Sequence, residues 1–295
     1  MSEFLKPASV KEVNHILTEK GSSAHIIAGG TDLLVEARLK DDYFSGALVD
    51  ISGINEIHQI IETDTSIEIG TAVTHDQIVK SPLINQHALV LSQACHQIGS
   101  QQIRNRGTIG GNICNASPCA DSIPALFVLD ARIFINSGKT ETEIAITDFF
   151  ISPYHTVLKP EEWITKIRFK KMDANQQSAF IKLGRRNALS ISRMNMAAVL
   201  ELENEIITSV RFTPGSVFPV WKRVTEVEEL LTGKKISLEL FEEAGQVTAE
   251  KMIEISGRRW STPYKEPVVA ALTERVFCKA AGIEYPELET IYGVD

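Results

Sequence analysis

The stretch Ile26-Ile27-Ala28-Gly29-Gly30-Thr31-Asp32-Leu33-Leu34-Val35 constrains the fold more than any other part of the chain. An apolar run ends in paired glycines, a helix cap follows, and a helical apolar pattern resumes. That order reads as strand, tight turn and helix start. Two adjacent glycines remove both Cβ atoms and permit positive φ, so the backbone can bend sharply and come close to a ligand. N–H groups in such a turn point into one concavity, and the helix that begins there adds a partial positive charge. The turn is suited to a phosphate or pyrophosphate.

A single Gly-Gly turn is common in proteins, but the chemistry occurs again at Thr108-Ile109-Gly110-Gly111-Asn112-Ile113. Paired glycines again lie between a hydroxyl and an amide side chain, and Ala116-Ser117-Pro118-Cys119-Ala120-Asp121-Ser122 follows. Two such bends suit a ligand with two phosphates and two ends. The G-x-G-x-x-G fingerprint of a Rossmann domain is absent. Gly233-Lys234 lacks the rest of a P-loop, the histidines show no zinc spacing, and Ser190 and Ser192 lie in no nucleophile elbow.

The two bends, joined by Gln102-Ile103-Arg104-Asn105 and followed by Ala116-Ser117-Pro118 and Ala120-Asp121, resemble the FAD-binding subunits of the molybdenum hydroxylases. That family includes xanthine, carbon monoxide and nicotinate dehydrogenases. The resemblance covers nearly the whole chain. It implies an α+β fold: the two-lobed FAD-binding (PCMH-type) domain of the vanillyl-alcohol oxidase superfamily, then a C-terminal domain of antiparallel sheet and helices. It implies FAD in this chain, bound at Ile27 and held by the amides of Ala28, Gly29, Gly30, Thr31, Asp32, Leu33 and Leu34, with Thr108, Ile109, Gly110, Gly111 and Asn112 as a second contact. Asp121, Ile98, Ile164 and Lys182 match family positions that touch the cofactor. The alternative readings are a helix cap for Asp121, plain core for Ile98 and Ile164, and a surface lysine for Lys182, although alternation puts Lys182 on the face of Phe180, beside apolar surface. Ile113 is expected in the core.

The resemblance further implies a large partner subunit with the molybdenum cofactor, a small one with two 2Fe–2S clusters, and NAD or another electron acceptor. Independently of the resemblance, Arg185 and Arg186 suit steering of an anionic acceptor or holding a partner subunit, the alternative being a salt-bridged surface pair. No general acid or base indispensable to hydroxylation is expected in this chain, because hydroxylation belongs to the large subunit. Two other functions are compatible with the fold: a free-standing flavoenzyme with its own substrate, and a scaffold subunit that has lost FAD.

Composition narrows the classes. The 295 residues suffice for one large or two modest domains, and 43% hydrophobic content supports an ordinary core. A net charge of −8 argues against a nucleic-acid-binding surface. The first residues lack a signal-peptide core, and the longest apolar run, 123–135, is broken by Asp130 and Arg132, so a cytoplasmic protein without a membrane span is expected. The cysteines Cys95, Cys114, Cys119 and Cys278 are too few and too scattered for a disulfide scaffold or an ordinary cluster. Cys95 and Cys278 are expected as core residues.

Elements follow from caps and periodicity. Capping boxes are expected at Ser9…Glu12, Thr74…Gln77 and Thr225…Glu228. One helix is expected over 83–99 and strands over 47–51, 131–136 and 164–170, with a hairpin joining 57–61 to 67–70. The polar stretch 172–178 marks the boundary between an FAD-binding domain, 1–174, and a C-terminal domain, 175–295. Three strands (179–183, 196–202, 206–212) and two amphipathic helices (238–253, 268–281) are expected beyond it.

Overall fold

A computed structural model describes residues 3–39, 46–186 and 189–285. In the first lobe, β1 (Glu3–Leu5), α1 (Val10–Lys20), β2 (Ala24–Ile27), the short α2 (Leu33–Ala37) and β3 (Ala47–Asp50) form a parallel sheet of order β1-β3-β2 covered by α1. Ser9 caps α1 by accepting from the Glu12 N–H, while the Glu12 carboxylate accepts from the Ala8 N–H one residue before the expected partner. Val13, Leu17, Val49 and Trp163 form the lobe's core. Trp163 belongs to a later strand, and its indole donates to Asn14 at 2.8 Å, tying the two lobes together.

The second lobe begins with β4 (Ile60–Glu62) and β5 (Ser66–Gly70), paired antiparallel as the hairpin signal predicts. Then come α3 (His75–Lys80), α4 (Pro82–His87), α5 (Leu89–His96), α6 (Gln101–Arg104), α7 (Ile109–Asn115) and α8 (Ser122–Val128). Next are β6 (Arg132–Asn136), β7 (Glu141–Ala145), the small hairpin β8 (Phe150–Ser152) and β9 (His155–Thr156), and β10 (Trp163–Lys170). The five-stranded sheet has order β4-β5-β10-β6-β7. The expected helix over 83–99 is two helices, broken where Ala88 takes φ −157°. In β10 the register slips between Ile164 and Lys166, so Ile164 and Ile167 are both buried although three residues apart.

The C-terminal part has β11 (Gln176–Leu183), β12 (Met194–Glu203) and β13 (Ile206–Gly215) as an antiparallel meander, then α9 (Thr225–Leu231), α10 (Leu238–Ser256) and α11 (Thr262–Ala281). Asn204 and Glu205, both at positive φ, turn β12 into β13. The sheet is covered on both sides. Phe180, Ala197 and Val199 pack into the core around α5 and α8, while Ala179, Met196, Ala198 and Leu200 pack against α10 and α11. This is why β12 is apolar without alternation.

Three expectations about caps and helix starts need correction. Thr225 makes no capping bond, because Glu228 turns away to accept from the Phe212 N–H at 2.8 Å and from Arg223. Asp32 stands at the start of α2 but does not cap it. Helix α11 begins at Thr262, with Pro267 inside it. The helix after the first bend does not turn its apolar side inward either. The sequence pattern puts Glu36, Arg38 and Lys40 on its outer face, but Leu34, Val35 and Leu39 are themselves exposed, and Lys40 lies outside the described residues.

Candidate functional site

The first bend follows β2 directly. Gly29 lies so close to the Arg106-Gly107 backbone that a Cβ there would sit 1.9 Å from the Arg106 carbonyl oxygen. The segment leading to the second bend therefore rests on the first, and only glycine allows it. Gly30 takes φ +69°, the left-handed conformation that closes the turn. The Leu34 N–H donates to the Gly30 carbonyl at 3.1 Å. The amides of residues 28–33 have no hydrogen-bond partner among the described residues, which makes them available to a ligand.

The second bend is built differently from the expected cradle. Thr108 caps α7, its hydroxyl accepting from the Gly111 N–H at 3.1 Å. The Ile109 and Gly110 amides donate to Val73 and Thr71 carbonyls at 2.9 and 3.0 Å, and the Asn112 amide donates to the Thr108 carbonyl. These N–H groups are spent on the fold. What this bend offers is the Thr108 hydroxyl proton and the Asn112 side-chain N–H group, whose oxygen accepts from Ser122 at 2.7 Å.

Both bends line one cavity of about 700 Å3, within the roughly 300–1,000 Å3 of ligand and cofactor sites. Ile27, Ala28, Gly29, Gly30, Thr31, Asp32, Leu33, Ile98, Thr108, Gly110, Gly111, Asn112, Asp121, Ile164 and Lys182 all line it. Leu34 and Ile109 do not. Leu34 is exposed, and Ile109 is buried in the second-lobe core. Ile113 is core, as expected, and so are Cys95 and Cys278. Cys114 and Cys119 border the cavity.

The far wall holds a buried ion pair. Lys182 shares a face of β11 with Phe180, which points it toward α8, where Asp121 stands. The Lys182 ammonium donates to Asp121 Oδ2 at 2.6 Å and to the Gln97 carbonyl at 2.8 Å. Asp121 Oδ1 accepts from the Ser192 hydroxyl at 2.6 Å and from Asn195 Nδ2 at 2.8 Å. Burial raises the Asp121 carboxyl above its ordinary pKa, against the pull of Lys182, Ser192 and Asn195. Asp121 therefore begins α8 without capping it, and Lys182 is not a surface residue: the side chains of both are 6% exposed. No single-residue signal in the sequence marks Ser192 or Asn195: the register of β12 places Asn195, and the loop entering β12 places Ser192.

His75 is the other residue a sequence reading passes over, since it appears only inside a capping box. That box is formed: the Gln77 amide donates to Thr74 Oγ1, and the Thr74 amide donates to Gln77 Oε1 at 2.8 Å. Its geometry places His75 on the cavity wall, with its own amide donating to the Gly107 carbonyl at 3.0 Å. His75 is 2% exposed, and its Nδ1 is buried without a partner among the described residues. Burial, helped by the Arg104 charge, pushes its pKa down to about 4, so the ring is neutral near pH 7.

Two side-chain-poor bends, a row of unspent amides and a buried ion pair around one large cavity describe a site for an extended, polar-centred cofactor. Comparison with known proteins agrees. A family described as the FAD binding domain in molybdopterin dehydrogenase matches residues 1–169, and one described as the CO dehydrogenase flavoprotein C-terminal domain matches residues 178–280. The chain is 30% identical to the nicotinate dehydrogenase FAD-subunit of Eubacterium barkeri, covering 93% of this chain and 94% of that one. It is 26% identical to the carbon monoxide dehydrogenase medium chain of Hydrogenophaga pseudoflava, over 92% and 94% of the two. Among solved structures, carbon monoxide dehydrogenase from Hydrogenophaga pseudoflava superposes with a TM-score of 0.88 at 25% identity, covering 95% and 97% of the two chains. Quinoline 2-oxidoreductase from Pseudomonas putida 86 superposes with a TM-score of 0.87 at 26% identity, covering 96% and 97%. The chain belongs to the family of FAD-binding medium subunits of the molybdenum hydroxylases. Its cofactor is FAD, and it is an oxidoreductase component. Among the described residues no helix is long and apolar enough to cross a membrane.

Proposed function

We infer that this chain is the electron-transfer flavoprotein of a heteromeric molybdenum hydroxylase. It would receive electrons from 2Fe–2S clusters of a small partner subunit, which takes them from a large molybdopterin-bearing subunit, and pass them to NAD or another acceptor. The observation that carries the reading is that both bends line one cavity. The medium chains of the relatives support the assignment to a multi-subunit complex. We place the domain boundary at 174/175, ahead of β11, so the cavity draws on both domains.

In this reading the amides of residues 28–33 hold the cofactor's pyrophosphate. Neutral N–H donors suit a dianion in a chain of net charge −8. The Thr108 hydroxyl and Asn112 amide hold neighbouring polar oxygens, Ile98 and Ile164 supply apolar wall, and Lys182 offers a cation held by Asp121. When bound, the flavin supplies a store that exchanges one or two electrons. The chain's own share is binding, orientation and electrostatic setting.

Purification tests the reading. A yellow chain that co-elutes with a molybdenum-containing and an iron-containing partner, and that is inactive alone, is the expected result. A yellow chain active by itself would make it a free-standing flavoenzyme, and a colourless chain would make it a scaffold.

A further inference from the structure

The buried pair Asp121–Lys182 does not stand alone on its wall. In the register of the C-terminal sheet, Lys182 lies directly opposite Asn195, and Asn195 directly opposite Gly215. The three residues form one row across β11, β12 and β13, on the face turned toward α8. Gly215 leaves the room this row needs: a Cβ there would sit 2.0 Å from Asn195 Oδ1 and 2.8 Å from Pro124 of α8. Asn195 is fully buried and Ser192 is 4% exposed. Both direct a donor at the same oxygen, Asp121 Oδ1, leaving Oδ2 for Lys182. A carboxylate with one oxygen held by two donors cannot turn away from its cation. Of the three ammonium protons, two go to Asp121 and the Gln97 carbonyl. The third has no acceptor among the described residues, and Lys182 lines the cavity.

We propose that Ser192 and Asn195 are positioning residues for the cofactor: by holding Asp121, they fix the Lys182 ammonium so that its remaining N–H is offered to FAD. The idea rests on the reading that Lys182 contacts FAD. It adds that the C-terminal domain sets cofactor affinity through residues that do not themselves reach the ligand. A wobbling ammonium would still be a cation near the site, but it would lose the preorganisation that makes a charged hydrogen bond strong.

The test is FAD titration of the full-length chain stripped of flavin. Ser192→Ala and Asn195→Leu should each weaken FAD binding about tenfold, or about 1.4 kcal/mol. Ser192→Thr, which keeps the hydroxyl, should restore affinity. In a Lys182→Met background, Ser192→Ala should have little further effect, because the group it positions is gone. A general packing defect would instead weaken binding equally in both backgrounds and would overturn the proposal. If Lys182→Met weakens binding but Ser192→Ala and Asn195→Leu do not, the positioning role falls and the Lys182 contact stands. If Lys182→Met has no effect, both fall. Should Asn195→Leu fail to fold, the Ser192 series decides alone.

Discussion

His75 carries a cost that shows in the pH dependence of stability. In the unfolded chain its imidazole takes up a proton near 6.5; in the folded chain the burial that leaves Nδ1 unpartnered holds this off to about 4. Its contribution is therefore fully present above about pH 6.5 and lost as pH falls toward 4. Between pH 7 and pH 5 the loss amounts to about 2 kcal/mol. Urea unfolding at the two pH values should show a difference smaller by that amount in His75→Leu, and equal differences would sink the assignment. The glycines make a second residue-scale prediction, a ranking. Gly29→Ala drives a Cβ into the Arg106 carbonyl, a backbone atom that cannot give way, whereas Gly111→Ala meets only the end of one side chain, the Thr108 hydroxyl at 2.9 Å, whose displacement costs the cap on α7. Gly29→Ala should weaken FAD binding by more than about tenfold, or about 1.4 kcal/mol, and Gly111→Ala by less. Visible flavin absorbance of the folded, purified variants reads the order directly, and the reverse order would refute it. The paired glycines were legible as a bend from sequence. Which glycine is needed for contact, and with what, depends on residues 77 positions away and was not.

At the scale of elements, short-range chemistry was legible and long-range competition was not. Thr74…Gln77 forms its box because nothing else claims either side chain, and Thr74→Ala should cost about 1 kcal/mol by thermal or urea unfolding. An unchanged midpoint would mean the cap contributes nothing. The Thr225…Glu228 pattern is equally good on paper, yet Glu228 is drawn to Arg223 at 2.7 Å and to the Phe212 amide. A charged partner and an unsatisfied strand amide outweigh a local cap. The amides of the second bend are claimed for the same reason, by the neighbouring carbonyls of Thr71 and Val73, which leaves its side chains to face the cavity. Strand β7 escaped notice because its first three residues are exposed at the sheet edge, where a core pattern is not required. Helix α2 forms where its apolar spacing predicts a helix, yet Leu34 and Val35 stay exposed, because apolar spacing gives a buried face only where another element covers it.

The whole molecule is bound together by a sheet that serves two cores. Phe180, Ala197, Val199 and Trp221, all beyond residue 174, are buried in the same cluster as α5 and α8, with the Trp221 ring 4.8 Å from Phe150. The Phe180 amide donates to Gln93 at 2.8 Å, and Asp130 accepts from Arg223 at 2.8 Å across the same divide. A fragment ending at 174 would thus leave the helices of the second lobe uncovered and take Lys182, Ser192 and Asn195 out of the cavity wall. Each large apolar side chain lost from such a core forfeits about 1.5–3 kcal/mol, and two or three of them equal much of the ~5–15 kcal/mol that stabilises a typical domain. Fragment 1–174 should therefore bind a hydrophobic dye, unfold without a sharp transition and retain no flavin, while the full chain unfolds in one step. A fragment that is cooperative and yellow would mean that the sheet merely rests against the cofactor domain. In that case the ion pair on the far wall would be dispensable for holding FAD, and the sequence boundary at 174/175 would separate two independent units.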